Sequence, residues 1–183
     1  ASLSSSALSG DKDCGGVVNL PLFSGEPVVG LDAGRPMLVR TPDAKLTFPN
    51  FARSLVAGAM TSLKIGMDIL ADEQVVIDSL TGHGGLFKTP EVGQRYMAAA
   101  CHAPVTCMDS AGEGGPYGMA LLAAYMVAHT DGETLEQYLS NRVFAGVAST
   151  TRVPDPADEA GFDRYLAQFR GALAAERTAV ETL

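Results

Sequence analysis

The chain has 183 residues, with 13 Lys and Arg against 21 Asp and Glu, which gives a net charge of −8 at pH 7 with neutral histidines. Such an acidic chain offers little to the phosphates of nucleic acid or of an anionic membrane surface, so we expect neither as a partner. The 46% hydrophobic and 19% charged residues are ordinary for a globular protein, and no apolar run reaches the length of a membrane span. Three cysteines without C-x-x-C spacing predict buried thiols in a reducing, cytoplasmic setting.

Serine dominates the start of the chain. Residues 1–13 predict a frayed end or a truncated connection, in front of a single domain that we assign to residues 1–183. Ala1 is not a methionine, which indicates a piece of a longer protein, and no signal peptide is visible. Residues 17–23 are apolar but contain Pro21, so they predict an edge strand or a loop. A turn at 24–27 and a short strand at 37–39 follow.

From Asn50 onward the period of the apolar residues changes to about four, which predicts a long amphipathic helix with Asn50 as its N-cap. The predicted apolar face consists of Phe51, Leu55, Ala59, Leu63, Met67 and Leu70. Residues 75–80, with the sequence Val-Val-Ile-Asp-Ser-Leu, are typical of a buried strand.

That strand runs directly into a glycine-rich turn, Thr81-Gly82-His83-Gly84-Gly85. The triplet Thr89-Pro90-Glu91 then predicts a helix N-terminus with Thr89 as the cap, for a helix over 90–102. A short strand over 104–108 leads to a second glycine-rich turn, Gly112-Glu113-Gly114-Gly115, and a helix over 117–128. Strands that alternate with helices predict an α/β domain.

Two more helices complete the pattern. Thr134 and Gln137 fit a capping box, and Asp155-Pro156 predicts the start of the last helix. The apolar face of that last helix consists of Phe162, Leu166, Phe169 and Leu173.

The two glycine-rich turns are the strongest indication of a binding site. Glycines let the backbone approach a ligand closely, and a helix start supplies free N–H groups, which together suit an anionic or nucleotide ligand. Both turns follow strands of neighbouring βα units, where open α/β sheets bind ligands. Neither turn is the G-x-G-x-x-G fingerprint or a P-loop, so tight turns without a ligand remain the alternative. The three histidines have no metal-site spacing, and we expect no metal held by the protein.

Single side chains near the turns have two interpretations each. His83 lies inside the first turn and could touch a ligand. Lys88 could pair with a phosphate or remain solvated. Glu113 could coordinate a ligand, but we favour a role in anchoring the second turn through backbone N–H groups.

The stretch 81–125 resembles the C-terminal lobe of the FGGY carbohydrate kinases, which have an actin-like ATPase (ribonuclease H-like) fold. The motifs that carry the resemblance are Gly84-Gly85, Gln94, Ala98-Ala99-Ala100, Pro104-Val105, Glu113 and Gly118-Met119-Ala120. The helix containing Arg53 and Gly58 looks like the Arg-x-x-x-Glu-Gly helix of the family, with Val56 and Ala57 in the usual small and acidic places. The similarity extends over about 14–170 and is most specific over 84–118.

The resemblance implies an α/β fold with a mixed sheet and flanking helices, ATP and Mg²⁺ as cofactors, and a ketopentose, xylulose first, as the sugar substrate. It implies that Gly84, Gly85 and Thr89 bind ATP. To these we add Lys88 from its place in the turn, and we expect Glu113 and Gly118 to support the second turn. No catalytic residue is expected in this chain, because the family's catalytic Asp, its Gly-Thr phosphate loop and most of its sugar contacts lie upstream of the part that this chain resembles. The resemblance also implies an N-terminal lobe that this chain lacks. By itself it should bind nucleotide weakly and catalyse nothing. Family members are often homodimers.

Two other functions are consistent with the sequence. The chain could be an actin-like nucleotide-binding module without sugar kinase activity. It could also be a catalytically inactive interaction domain.

Overall fold

Residues 3–89, 91–109, 112 and 114–183 are described by the structure, a computed structural model. The strands in those residues are β1 (Val17–Leu20), β2 (Met37–Arg40), β3 (Leu80–Thr81), β4 (Val105–Met108) and β5 (Ser149–Arg152). The helices are α1 (Leu3–Ala7), α2 (Phe48–Asp72), α3 (Val92–Cys101), α4 (Gly114–Ala128), α5 (Leu135–Tyr138) and α6 (Pro156–Thr182).

The strands form two small sheets. β1 and β2 pair antiparallel, with Val17 opposite Arg40. The second sheet has the order β3-β4-β5, in which β3 is parallel to β4 and β5 is antiparallel to β4. This mixed sheet with flanking helices confirms the predicted α/β fold class. β5 has no counterpart in the sequence prediction, because all of its residues are exposed and it shows no apolar alternation.

The main core lies between β1, α2 and α6. Helix α6 begins after Asp155, whose carboxylate accepts hydrogen bonds from the N–H groups of Ala157 and Asp158, and this start was predicted. Its predicted apolar face is buried, since Phe162 and Phe169 are 3% and 0% exposed. Each such aromatic ring contributes about 1.5–3 kcal/mol through its burial. The capping box that begins α5 is also confirmed.

The predicted start and apolar face of α2 are wrong. Thr47 is the N-cap and its hydroxyl accepts the N–H of Asn50, which is itself a buried residue inside the helix. The predicted stripe is half-buried at best, and Leu63 and Leu70 are 38% and 40% exposed. A spacing of four residues exceeds the 3.6-residue turn, so such a stripe drifts around the helix. The residues that α2 buries instead include Ala52, Val56, Ala57, Met60 and Ile65.

Helix α2 is long and apolar enough to cross a membrane by length and composition, with a mean hydropathy of 1.3. It contacts α1, α3, α6 and β1, and it buries Arg53, Ser54 and Thr61 as well as its apolar side chains. A core helix of a folded domain has the same composition. We therefore assign α2 to the core.

Residues 3–13 correct the expectation of a frayed end over residues 1–13; residues 1 and 2 lie outside the described residues. Residues 3–7 form α1, which packs on α2, and Ala7 is fully buried. The Tyr96 hydroxyl donates to the Ala7 carbonyl at 2.7 Å, and the Asp11 N–H donates to the Asn50 side chain at 2.7 Å. These long-range hydrogen bonds fix residues that local composition alone marked as loose.

The buried strand predicted over residues 75–80 is also wrong over most of its length. Only Leu80 and Thr81 pair with β4, while Val75 and Val76 are 45% and 80% exposed. A strand needs a hydrogen-bonding partner along its length, and among the described residues none pairs with the other edge of β3. The predicted strand over 104–108 is confirmed as β4.

Two glycines of α6 give a matched test of its packing. A Cβ on Gly161 would lie 2.5 Å from the backbone of Lys12, whereas a Cβ on Gly171 would meet nothing within 4 Å. We expect Gly161→Ala to lower the free energy of unfolding by about 1–3 kcal/mol through overpacking. Gly171→Ala should raise it by about 0.5–1 kcal/mol, because alanine is the better helix former. Urea unfolding of both variants measures the difference, and equal effects would contradict the packing described here.

Candidate functional site

The two glycine-rich turns contact each other at the ends of β3 and β4. A Cβ on Gly114 would lie 2.6 Å from the His83 Cβ, and a Cβ on Gly112 would lie 3.0 Å from the Lys88 Cε. β3 and β4 are parallel, so both turns leave the same edge of the sheet. The sequence expectation that the turns lie together is therefore confirmed.

The glycines of these turns and of the helices that follow them divide into a packed group and an open group. A Cβ on Gly82 or Gly93 would collide with the Phe87 ring, at 2.4 and 2.8 Å. These two glycines are needed to seat that ring. In contrast, a Cβ on Gly84, Gly85, Gly115 or Gly118 would meet nothing within 4 Å. The absence of a side chain at Gly85, Gly115 and Gly118 is therefore not explained by packing or by a positive φ within the described residues, whereas Gly84 has a φ of 104°, which by itself favours glycine.

An apolar cavity of about 500 Å³ lies between the first turn and the start of α4. His83, Gly115, Gly118, Leu122 and Phe144 are among its lining residues. Its size is within the usual range for small-molecule sites, and its walls suit a flat apolar group. Gly118 therefore lines a cavity, beyond its expected role in supporting a turn.

A second, polar cavity of about 400 Å³ lies beside Lys88 and Gly112. Lys88, Arg152, Glu91 and Asp109 bring charges of both signs to its wall. The aliphatic part of the Lys88 side chain packs against Gly112, so the Lys88 amino group lies near both turns. The two cavities lie next to the pair of turns and differ sharply in polarity.

The first turn continues differently from the prediction. Residues Gly85–Lys88 form a 3₁₀ turn, Thr89 is extended, and α3 begins at Val92. Thr89 is therefore not the helix cap, and Glu91 takes that position with a positive φ of 70°. An extended conformation is expected for Thr89, because the residue before a proline is disfavoured in the helical region. Pro90 and Glu113 lie outside the described residues, so the roles predicted for them stay predictions.

The side chain of Gln94, on α3, connects β4 and β5 by hydrogen bonds. Its amide nitrogen donates to the carbonyls of Val105 and Thr150, at 3.0 and 2.7 Å, and its oxygen accepts the Thr150 hydroxyl at 3.2 Å. The side chain is buried, so these hydrogen bonds satisfy groups that would otherwise lack partners. Gln94 is thus a structural residue at the edge of the polar cavity.

Histidines and cysteines do not form a reactive centre in the described part of the chain. His102 pairs with Asp163 on the surface at 3.0 Å, and His129 bonds the Tyr125 carbonyl. All three cysteines are free and buried, and burial raises the pKa of the Cys14 thiol to about 12. No group of three His, Cys, Asp or Glu among the described residues could hold a metal ion.

The buried carboxylate of Asp158, on α6, connects that helix with α2 and α3, and it was not predicted from the sequence. Its Oδ1 accepts hydrogen bonds from Lys12 Nζ and Arg53 Nη2, each at 2.7 Å, and its Oδ2 accepts one from Arg95 Nε. Asp158 and the Arg53 side chain are 1% and 4% exposed. The guanidinium of Arg53 also lies 4.8 Å from the centre of the Tyr96 ring. We call Asp158 with its three cations the Asp158 cluster.

The Asp158 cluster makes the stability depend on pH. Desolvation by burial raises the pKa of Asp158, but the hydrogen bonds from Lys12, Arg95 and Arg53 outweigh it and lower the pKa from 3.8 to about 2. A lowered folded-state pKa means that the stabilisation is complete above pH ~4 and is lost as the pH falls towards 2. We expect the stability difference between wild type and Asp158→Asn to shrink by about 2 kcal/mol over that interval. Urea unfolding at pH 2, 3, 4 and 6 measures it, and a constant difference would contradict the assignment.

Fold and site together define an α/β lobe that presents two touching glycine-rich turns, with an apolar and a polar cavity beside them. Residues 2–127 match the C-terminal domain of the FGGY family of carbohydrate kinases. The chain therefore belongs to this family. No curated protein sequence matches it.

Solved structures of kinases share the fold. Gluconate kinase from Lactobacillus acidophilus aligns over 94% of this chain with a TM-score of 0.71 and 21% identity. Ligand-bound xylulose kinase from the same organism aligns equally well, with 20% identity. Plasmodium falciparum glycerol kinase with ADP aligns over 96% of this chain, with a TM-score of 0.64 and 19% identity. The chain spans about a third of each of these proteins, 34%, 34% and 33% respectively.

Proposed function

We propose that the complete protein is a sugar kinase and that residues 1–183 are its C-terminal ATP-binding lobe. The reaction is transfer of the ATP γ-phosphate to a hydroxyl of a ketopentose, with xylulose as the first candidate. The observation that carries the proposal is the set of open glycines, Gly85 in the first turn and Gly115 and Gly118 at the start of α4, beside the contact between the two turns. Family membership gives the reaction class.

We assign the nucleotide to the two cavities by their chemistry. The purine base suits the apolar cavity between His83 and Gly118, because a flat apolar ring gains most from burial there. The phosphates suit the polar cavity, where Lys88 supplies a positive charge, and Gly85, in the turn before Lys88, leaves open space for a ligand beside its backbone. We add Thr89, the residue after Lys88, as a hydroxyl donor to the nucleotide.

Catalysis by such a site depends on position and charge. Phosphoryl transfer needs the attacking and leaving oxygens in line, and the protein supplies that geometry and neutralises the phosphates. We place the Mg²⁺ on the ATP phosphates and assign the proton-accepting carboxylate and most sugar contacts to the lobe outside these 183 residues. The contribution of this chain is to hold and orient the nucleotide. Closure of the two lobes would exclude water and suppress ATP hydrolysis.

The choice of xylulose rests on support from relatives alone. The similar solved structures include xylulose kinases from Lactobacillus acidophilus and Rhodospirillum rubrum, but also gluconate and glycerol kinases. A cytoplasmic location and a homodimer complete the proposal, and the three buried free thiols fit a reducing compartment.

The test is ADP release by the protein expressed from its complete reading frame, with ATP and Mg²⁺ and one sugar at a time. We expect xylulose to stimulate ADP release by about 100-fold or more over the reaction without sugar, and to exceed ribulose, gluconate and glycerol in kcat/KM. Stimulation by another sugar would keep the kinase and replace the substrate. ATP binding without stimulation by any sugar would favour a nucleotide-binding module and contradict the kinase.

A further inference from the structure

The wall of the apolar cavity comes mainly from one stretch of the chain. Most of its described lining residues lie on α4, over residues 114–122, and two more follow that helix. His83 is the exception, because it comes from the first glycine-rich turn. Among the described lining residues, only His83 and Tyr117 carry a side-chain nitrogen or oxygen. A ligand in this cavity therefore meets two side chains with which it can form hydrogen bonds.

The ring nitrogens of His83 have no hydrogen-bond or ion-pair partner in the part of the chain that the structure describes. The other two histidines differ, since His102 bonds Asp163 at 3.0 Å and His129 bonds the Tyr125 carbonyl at 2.8 Å. His83 is exposed, so water can satisfy its nitrogens until a ligand replaces that water. Neutral imidazole carries one donor and one acceptor, a combination that suits a hydroxyl group.

Packing fixes the position of His83 from two sides. A Cβ on Gly114 would lie 2.6 Å from the His83 Cβ and 3.1 Å from its Cγ, so the second turn leaves no room for a side chain against this ring. On the other side, Gly82 lies against Phe87, where a Cβ would be 2.4 Å from a ring carbon. Rotation about χ1 does not move the His83 Cβ, so only a backbone shift could relieve a contact at Gly114. Gly114 is therefore a positioning residue for His83.

His83 lies at the end of the apolar cavity that is nearest to the polar cavity. The apolar cavity follows α4 from Gly114 to Leu122. The polar cavity contains Gly112, two residues before Gly114, with Lys88 packed against it. Because His83 packs against Gly114, the first residue of α4, it lies where the two cavities come closest along the chain.

The covalent order of ATP decides which part of the nucleotide His83 meets. The ribose joins the base to the phosphates, so a nucleotide with its base in the apolar cavity and its phosphates in the polar cavity has its ribose between them. His83 lies at that junction, and its donor and acceptor match the hydroxyl groups of a ribose. Tyr117 lies about 4.5 Å further along the axis of α4, on the side of the base.

We propose that His83 binds the ribose hydroxyls of the nucleotide and that Gly114 positions it for this contact. His83 has this role only if the base and the phosphates bind as proposed above, so the assignment rests on the proposed function. Its consequence is a preference for ribonucleotides, because a deoxyribonucleotide leaves the imidazole without one of its partners. His83 is then a specificity-determining residue of the site.

A contact between His83 and a phosphate is the competing assignment. His83 lines the apolar cavity, however, and Lys88 already brings a positive charge to the polar cavity. The two assignments differ in their response to the removal of a ribose hydroxyl. A phosphate contact is indifferent to that change, whereas a ribose contact is lost with it.

Isothermal titration calorimetry with the protein expressed from its complete reading frame tests the contact, with ATP, 2′-deoxy-ATP and 3′-deoxy-ATP as ligands. We expect wild type to bind ATP about 3- to 10-fold more tightly than at least one of the deoxynucleotides, the contribution of one hydrogen bond. His83→Leu should abolish this preference by weakening ATP binding alone. His102→Leu, which removes a surface histidine paired with Asp163, should keep the wild-type preference.

Three results would overturn the role of His83. Wild type could bind all three nucleotides within about 2-fold, or the preference for ATP could persist in His83→Leu. Equal weakening of all three nucleotides in His83→Leu would assign this side chain to the phosphates or the base instead. In each of these cases ATP still binds, so the proposed function stands. No ATP binding by wild type would overturn the proposed function and the role of His83 together.

A pair of alanine substitutions in the same protein tests the positioning by Gly114. We expect Gly114→Ala to reduce the preference for ATP over the deoxynucleotide, because the new Cβ displaces His83. Gly171→Ala, at a helix position with open space around its Cβ, should keep the wild-type preference. A wild-type preference in a folded Gly114→Ala would overturn the positioning role. Should Gly114→Ala fail to fold, the result for His83→Leu decides alone.

Discussion

Replacing Asp158 with asparagine is expected to lower the free energy of unfolding by about 3–5 kcal/mol. Asparagine keeps the size of the side chain but removes the charge that three cations share. Arg53 then remains buried without its counter-ion, and one of its nitrogens, Nη1, already lacks a hydrogen-bond partner among the described residues. An uncompensated buried charge is costly because nothing replaces its lost hydration.

The control for Asp158→Asn is Asp163→Asn on the same helix. Asp163 pairs with His102 at the surface, where both side chains are about half exposed, 50% and 40%. A pair of that kind contributes about 0–1 kcal/mol, because water screens it. Urea unfolding at pH 7 of both variants and wild type gives the comparison. If Asp158→Asn lowers the free energy of unfolding by less than about 1 kcal/mol, the Asp158 cluster does not stabilise the fold as described.

The second large effect is expected at the first glycine-rich turn. Gly85→Val should lower the affinity for ATP by about 10- to 100-fold, which is 1.4–2.7 kcal/mol of binding free energy. A Cβ at this position meets nothing within 4 Å in the protein alone, so we expect the valine to cost little in folding and to project into the space assigned to the ligand. Isothermal titration calorimetry with the protein from the complete reading frame measures the affinity.

Gly171→Val is the matched control for Gly85→Val. Gly171 also has open space around its Cβ position, but it lies on α6, away from both turns. We expect wild-type affinity for this variant. If Gly85→Val also binds ATP with wild-type affinity while its Tm is unchanged, then the glycine pair does not line the nucleotide site.

Local signals in the sequence predicted the elements that depend on local physics. The start of α6 after Asp155 and the capping box at Thr134 and Gln137 follow from side-chain hydrogen bonds within three residues. The contact between the two turns followed from strand order and parallel pairing. For the two helix starts, the residues that cause the structure lie within three positions of it; the contact between the turns needed the order of the strands as well.

Features with distant causes could not be predicted in the same way. Asp158 finds its partners at Lys12, Arg53 and Arg95, which are 146, 105 and 63 residues away. Nothing near position 158 distinguishes this carboxylate from an ordinary acidic residue in the first turn of a helix. The open and packed glycines likewise cannot be distinguished in the sequence, because the position of the Phe87 ring and the positive φ of Gly84 separate Gly82 from Gly84 only in the structure.

The predicted strand over 75–80 failed for a different reason. Its sequence is that of a buried strand, but a strand forms only against a neighbour, and the described residues supply one on one side alone. The drift of a four-residue period explains the misplaced face of α2. Neither error affects the two turns.

The central claim, that the two touching turns bind ATP, is tested most directly by locating ATP on the protein. Hydrogen exchange of the protein from the complete reading frame should be followed with and without saturating ATP. The account predicts slower exchange over residues 82–89 and 112–118 together, by at least about 10-fold, since a bound ligand suppresses local opening. If ATP slows exchange only in other parts of the chain and leaves the exchange of both turns unchanged, the claim is contradicted.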